Sequence, residues 1–281
     1  MLKIIVDGSA DMPEGWADEF NLNILPMPIQ IGGKTYYQGV DITPDLFYEL
    51  VLEKEQKPQT AAPSPDRIKG FIEEVCEMGE TVLSINVSGL MSATVAMVEQ
   101  AAEKLQGKID VIPFDSHAGS AVLAFMAREA RLRERAGESI EDILDTLESM
   151  RDKVMVVLTL DSLEFAHRSG RVGALKAALT SFLKIKPIIT LKEGLLGVSD
   201  MVRTRQKSLD RIITKVKEQF GDEPIKVAVV HSQDRETAEE LSEMVHNIMN
   251  TTEIIFTELS ISVAANLGPK TVGLVALPDK L

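Results

Sequence analysis

Three short apolar runs constrain the fold of this chain more than any other feature: Leu2–Val6, Thr81–Val87 and Ile109–Phe114, the last two each followed by a long helical pattern. A strand, a helix and a strand repeated in that order cannot close as hairpins. They pair as parallel strands with helices packed on the faces of the sheet. Thr43-Pro44 and Ser64-Pro65 pair a cap residue with a proline at the first helical position, where its missing N–H costs nothing, and Ser139-Ile140-Glu141-Asp142 starts a helix running to about Lys153. The pattern then changes. Met155–Leu160, Pro187–Leu191, Leu195–Met201, Ile225–His231, Ile254–Leu259 and Val272–Leu277 are strand candidates separated by only two long helices. The expected architecture is α/β in two lobes: a parallel-sheet α/β/α domain over residues 1–154 and a strand-rich, mixed-sheet α/β domain over residues 155–281.

With 44% apolar and 26% charged residues, 281 residues are enough for a sizeable core. Thirty Lys and Arg against 43 Asp and Glu leave a net charge of −13, which repels phosphate backbones, so no nucleic acid partner is expected. Cys76 is the only cysteine and is read as a small core hydrophobe. The N-terminus enters a strand pattern directly, and no apolar run approaches the length needed to span a bilayer. A cytoplasmic location is therefore expected.

Ligands of open α/β sheets sit beyond the carboxyl ends of the strands. Those ends lead into Asp7–Asp11, Ser88–Thr94 and Asp115–Ser120, three turns that combine small residues with hydroxyls. Ser92 stands at the expected start of a helix reaching Leu105, where its hydroxyl and neighbouring free N–H groups either cradle an anion or simply cap the helix. Further on, Asp161 is a candidate N-cap, with Glu164 at capping-box spacing and Gly170 as the C-cap. A second helix is read through Ala174, Ala177, Ala178, Phe182 and Leu183. Arg171, between the two, is either a surface arginine bonding the last carbonyls of the first helix or a reader of a carboxylate. The stretch that ends in Lys186-Pro187 suggests a buried cation facing an acidic ligand.

Several pieces in fixed order resemble the DegV family of bacterial fatty-acid-binding proteins over nearly the whole chain. Ile4–Pro13 is similar to the family's opening strand and Asp-Ser-x-x-Asp-Leu-Pro turn, with Gly8 where a serine is usual. Thr60–Pro65 resembles its Thr-Ser-Gln-Pro-Ser loop, and Ser88–Thr94 its Ser-x-x-Leu-Ser-Gly-Thr turn, with Met91 for leucine and Ala93 for glycine. Leu163–Ile189, the Lys192-Glu193-Gly194 turn and Val202–Lys207 complete the likeness.

The resemblance implies a long-chain fatty acid as ligand, without a metal or other cofactor, its carboxylate near the meeting of the lobes and held by Thr60, Ser92, Ala93, Arg171 and Asn266. The acyl chain is expected in a buried tunnel near Ile29, Ile31, Val122, Phe125, Phe165 and Ile189, although each of these also suits ordinary core packing. It further implies a carrier that is not itself an enzyme and presents the lipid to a separate ATP-dependent fatty acid kinase. The chain lacks a G-x-x-x-x-G-K-[ST] loop of its own for nucleotide phosphates. Arg203 and Lys270 would face that partner, and transient membrane contact without a span fits such a role. Where the family usually has His-x-Gly-Pro-Gly, this chain has Asn266-Leu267-Gly268-Pro269-Lys270, which favours as an alternative a storage or sensing paralogue uncoupled from a kinase. A serine hydrolase using Ser92 or Ser116 with His117 is the enzymatic alternative, unsupported by any G-x-S-x-G elbow. His117, His167, His231 and His246 lack metal-ligand spacing, so no metal site is expected.

Overall fold

A computed structural model describes residues 2–173 and 185–281, so the second helix read through Ala174–Leu183 lies outside the described residues. The chain divides into two compact units. Unit 1 comprises Met1–Glu148 with Ser260–Val263, and unit 2 comprises Ser149–Leu259 with Ala264–Leu281. The return of Ser260–Val263 to unit 1 is a crossing that the order of elements along the chain does not reveal.

Unit 1 opens with β1 (Lys3–Asp7), α1 (Trp16–Glu19), β2 (Leu22–Leu25), β3 (Pro28–Ile31), β4 (Lys34–Tyr37) and α2 (Pro44–Tyr48), which runs into a π-helical turn over Glu49–Glu53. It continues with β5 (Gln59–Thr60), α3 (Pro65–Val75), β6 (Thr81–Asn86), α4 (Thr94–Leu105), β7 (Asp110–Asp115), α5 (Ala121–Ala136) and α6 (Ile140–Lys153), within which the first division falls. The four-stranded sheet is parallel throughout, in the order β2-β1-β6-β7. Ile5 and Val82 on one face pack with Ile68 and Ile72 of α3 and with Val98, Ala101 and Leu105 of α4. The pleat turns Ile4, Val6, Leu83 and Ile85 to the other face, and α5 packs on β1 and β6. Cys76 ends α3 inside the first of these clusters, as a core residue.

The two Pro-started helices form as the sequence indicates, with the Thr43 hydroxyl accepting from Leu46 N and the Ser64 hydroxyl from Arg67 N, both at 3.3 Å. On α5, Arg131 is only 1% exposed. Its guanidinium donates to the carbonyls of Leu2, Phe20 and Asn21 and pairs with Glu134 at 2.9 Å. A buried cation so fully bonded ties the residue before β1 and the end of the β1–β2 connection to α5.

A second sheet in this unit, antiparallel in the order β4-β3-β5, has no counterpart in the sequence reading. Its hairpin turns on Gly32 and Gly33, both at positive φ, a Gly-Gly pair between alternating segments that would have marked it.

Unit 2 contains β8 (Met155–Thr159), α7 (Glu164–Ser169), β9 (Val172–Gly173), β10 (Lys186–Lys192), β11 (Leu195–Val202), α8 (Arg205–Phe220), β12 (Ile225–His231), α9 (Arg235–Ile248) and β13 (Thr251–Glu258). The chain ends with α10 (Ile261–Leu267), which the second division crosses, and β14 (Val272–Pro278). Its seven-stranded sheet runs β13-β12-β14-β8-β10-β11-β9 and is mixed: β12–β13 and β9–β11 pair in parallel, the rest antiparallel. Leu209, Ile212 and Val216 of α8 and Ala238, Leu241 and Val245 of α9 close one core against Val157, Val227 and Leu274. The fold is thus α/β, with a parallel sheet and a separate mixed sheet.

Candidate functional site

The carboxyl edge of the parallel sheet gathers polar side chains that a core would otherwise exclude. Strand pairing sets Asn86 opposite Asp115, and β1 ends in Asp7 on the other side of β6. The two aspartates take hold of the turn that leaves β6. Asp7 Oδ2 accepts from Val87 N at 2.6 Å, and Asp115 Oδ2 accepts from Gly89 N at 3.1 Å. Ser88 N donates to Ala118 O at 2.8 Å, Leu90 N to the Ser88 hydroxyl, and Met91 N and Ser92 N to Ser88 O.

The free amides expected around Ser92 are therefore mostly engaged. From Val87 to Thr94 every amide has an acceptor within the protein except that of Ala93, for which the described residues offer none. Ser92 also sits one residue further out than expected. The N-cap of α4 is Ala93, and the Ser92 hydroxyl shares a 2.8 Å hydrogen bond with the Thr94 hydroxyl while accepting weakly from Thr94 N. A side-chain hydroxyl and one uncommitted N–H next to each other are what remains to meet an anion.

Behind this edge lies a buried acidic network that the sequence reading did not resolve into individual residues. Asp7 is fully buried and accepts from the amide and the hydroxyl of Ser9. Asp11, 1% exposed, accepts from the Ser120 hydroxyl and from Ser260 N at 2.6 Å. Burial pushes the Asp7 carboxyl up from its ordinary value, against the pull of its three donors. Burial likewise pushes Asp11 up to about 6, with the Ser120 and Ser260 bonds working against it and the charge of Asp7 adding to it. Gln38 completes the network, donating to Gly8 O at 2.6 Å and accepting from Ser262 N at 2.9 Å. A Cβ on Gly8 would lie 3.1 Å from Leu25 O and from Met27 Cγ, so the glycine that departs from the family pattern sits in a tight corner. The available signal was two aspartates four apart in a hydroxyl-bearing turn directly after a strand.

Thr60 is the register partner of Ile29 in the small sheet, and Ile29 and Ile31 are both buried there. Val122 and Phe125 are buried on α5, where the Phe125 ring meets Trp16 edge-on at 6.3 Å. In unit 2, Ile189 is buried in β10, and the Phe165 ring lies against Gly268, where a Cβ would meet it at 2.8 Å. The half-buried Arg171 donates from its guanidinium to the carbonyl of Ser169, the last residue of α7. Arg203 is exposed, as is Lys270, which holds a left-handed φ of 56°. The Lys270 amide donates to Ser232 O at 2.6 Å. Asn266 is half-buried on α10.

Two local readings need correction. Asp161 does not cap α7: the Ser162 hydroxyl accepts from Glu164 N at 3.1 Å, while the Asp161 carboxylate is bound to Lys186. The Lys186 ammonium engages the carboxylate instead, and the N-cap position falls on Leu163, which has no side-chain cap. By the same contact the Lys186 ammonium is already paired with a carboxylate of its own unit. As for the hydrolase alternative, Ser116 is fully buried with its hydroxyl folded onto Ala118, donating to its carbonyl and accepting from its amide. The exposed His117 ring faces Asp115 instead. Among the described residues no three His, Cys, Asp or Glu side chains converge as metal ligands, and no helix is long and apolar enough to cross a membrane.

This is a two-unit α/β protein with hydroxyls, an open amide and buried acids at the carboxyl edge of its parallel sheet, the place where open α/β sheets take their ligands. A family model described as uncharacterised protein, DegV family, matches residues 1–279, and the chain belongs to the DegV family. A DegV domain-containing protein of Listeria innocua is 32% identical over 276 residues, covering 95% of this chain and 96% of that one. Protein DegV of Bacillus subtilis is 28% identical over 244 residues, 86% of each chain. Among solved structures, a DegV family protein from Thermus thermophilus described by its fatty acid binding superposes with a TM-score of 0.90 at 28% identity, over 99% of both chains. The fatty acid binding DegV family protein SAG1342 of Streptococcus agalactiae gives 0.87 at 25% identity, over 100% of this chain and 99% of that one.

Proposed function

We propose that this protein binds a long-chain fatty acid with its carboxylate at the carboxyl edge of the parallel sheet, and presents it to a separate ATP-dependent kinase that forms the acyl phosphate. The observation that carries the reading is the likeness, over 99% of both chains at 28% identity, to the Thermus thermophilus protein described by its fatty acid binding. The Ser92 hydroxyl, the Ala93 N–H and the Thr60 hydroxyl receive the carboxylate, and the acyl chain runs among buried apolar side chains such as Ile29, Ile31, Val122 and Phe125. Each buried methylene contributes about 0.8 kcal/mol, so a chain of about 16 carbons supplies on the order of 12 kcal/mol before ordering costs. Tail burial then sets affinity and the head group sets register.

Protein purified from its source host is expected to carry an extractable acyl chain, read by native mass spectrometry before and after organic extraction. Ser92→Ala and Thr60→Val should each weaken fatty acid binding by about tenfold, the loss of one charge-assisted hydrogen bond. Delipidated protein that takes up no fatty acid in a titration would end the proposal. Exposed Arg203 is assigned to the kinase-facing surface. Arg203→Ala should therefore retain lipid yet lose most acyl-phosphate formation with the kinase, and loss of lipid retention would refute that assignment. A second reading, storage or sensing without a kinase, is favoured by Asn266, which cannot become cationic as a histidine can, and by the Lys270 side chain at a left-handed position.

A further inference from the structure

We propose that Asp115 is a positioning residue for the fatty-acid carboxylate: with Asp7 it clamps the turn leaving β6 from both sides, and so aims the Ser92 hydroxyl and the Ala93 N–H. The inference rests on the proposed fatty acid site and deepens it.

Asp7 and Asp115 stand at the carboxyl ends of the two strands that flank β6. One holds the first amide beyond β6, that of Val87, and the other holds Gly89, two residues on. With those two N–H groups fixed, and Ser88 N fixed on Ala118 O, the short turn to Ser92 has little freedom left. The two arms differ in character. Asp7 is fully buried and bonded three ways, so it belongs to the core of unit 1. The Asp115 side chain remains 27% exposed, and its two oxygens have separate tasks: Oδ2 takes Gly89 N at 3.1 Å while Oδ1 takes His117 N at 2.9 Å. Only a carboxylate offers an acceptor in both directions. An asparagine would set its NH2 against one of the two N–H donors and release that turn. An alanine at 89 would disturb the same contact, because its Cβ would sit 2.9 Å from Asp115 Oδ2 and push that carboxylate oxygen aside. Between Val87 and Thr94, the Ala93 amide alone is left without an acceptor among the described residues, next to the Ser92 hydroxyl.

A residue that merely holds the fold would affect every lipid alike, whereas one that aims donors at a carboxylate acts on the head group. Delipidated wild type, Asp115→Asn and Gly89→Ala should therefore be titrated with palmitic acid and with cetyl alcohol, which share an apolar tail of equal length. Wild type is expected to prefer the acid. Both variants should lose about tenfold in affinity for the acid and keep their affinity for the alcohol within about twofold, so that the preference collapses. Binding of cetyl alcohol by the variants also reports an intact apolar site. An undiminished preference for the acid in either variant, or an equal loss of both ligands, would overturn the positioning role while leaving the fatty acid reading in place. Wild type that binds neither lipid would instead overturn the reading on which the role rests.

Discussion

Gly273→Ala is expected to destabilise unit 2 by about 3 kcal/mol or more, the upper range for overpacking that forces the backbone to move. Gly273 lies in β14 opposite Leu158 of β8, near the middle of the seven-stranded sheet. A Cβ there would come within 2.4 Å of both the Val157 carbonyl oxygen and Leu158 Cδ2, and within 2.8 Å of the Leu158 Cα. Two of those atoms belong to the backbone, so no rotamer change relieves the overlap. The strands must part, and the core formed by Val157, Val272 and Leu274 with α8 opens with them. Urea denaturation followed by far-ultraviolet circular dichroism measures the effect. A midpoint equal to that of wild type would show that the two strands can separate at little cost.

The second large effect depends on pH and is centred on Asp11. Its carboxyl titrates near 3.8 in an unfolded chain and at about 6 in the folded protein, chiefly because burial disfavours its charge. Between those values the folded state holds the proton and the unfolded state has released it. Folding stability therefore falls as pH rises through the window. The penalty is absent below about pH 3.8 and complete above about pH 6, where it amounts to about 3 kcal/mol. Asp11→Asn should remove this slope. Its carboxamide oxygen can still accept from Ser260 N, and its NH2 can donate to the Ser120 hydroxyl oxygen, so the local network has a neutral substitute. Unfolding free energies measured from pH 4 to pH 7 should show wild type losing stability relative to the variant as pH rises. Parallel curves would dismiss Asp11 as the titrating group. Asp7, also raised by burial, is present in both proteins, so the difference between them reports the Asp11 carboxyl together with its coupling to Asp7.

Local signals that act within a few residues were legible in the chain. Thr43-Pro44 and Ser64-Pro65 start helices because a hydroxyl and a proline act on the next turn alone. Ile225–His231 forms a strand over the bounds its β-branched run suggested, and Gly170 ends α7 in a left-handed conformation. The Asp161 cap failed for the complementary reason. Its competitor, Lys186, is 25 residues away along the chain, and only the paired strands of unit 2 bring the two charges together.

The candidate site divides in the same way. Hydroxyl-bearing turns at the ends of β1, β6 and β7 were visible, since strand ends and turn residues are written locally. Which of their groups remain available was not. Whether an amide is open or taken depends on Asp7 and Asp115 reaching across from neighbouring strands, and on Ala118 and Ser88 supplying carbonyls. Ser260 reaches Asp11 across 249 positions of sequence, a pairing with no local trace. From its residues alone the chain determined an alternating α/β order, the starts of its two proline-led helices and the turns that carry polar groups, because each depends on propensity and spacing over a few residues. Tertiary structure decided the register that sets two carboxylates on either side of β6, the burial that raises Asp11 and the amide left open at Ala93 in the turn after β6. Hydrogen bonds and desolvation depend on what lies near in space, and the order of residues along a chain does not state it.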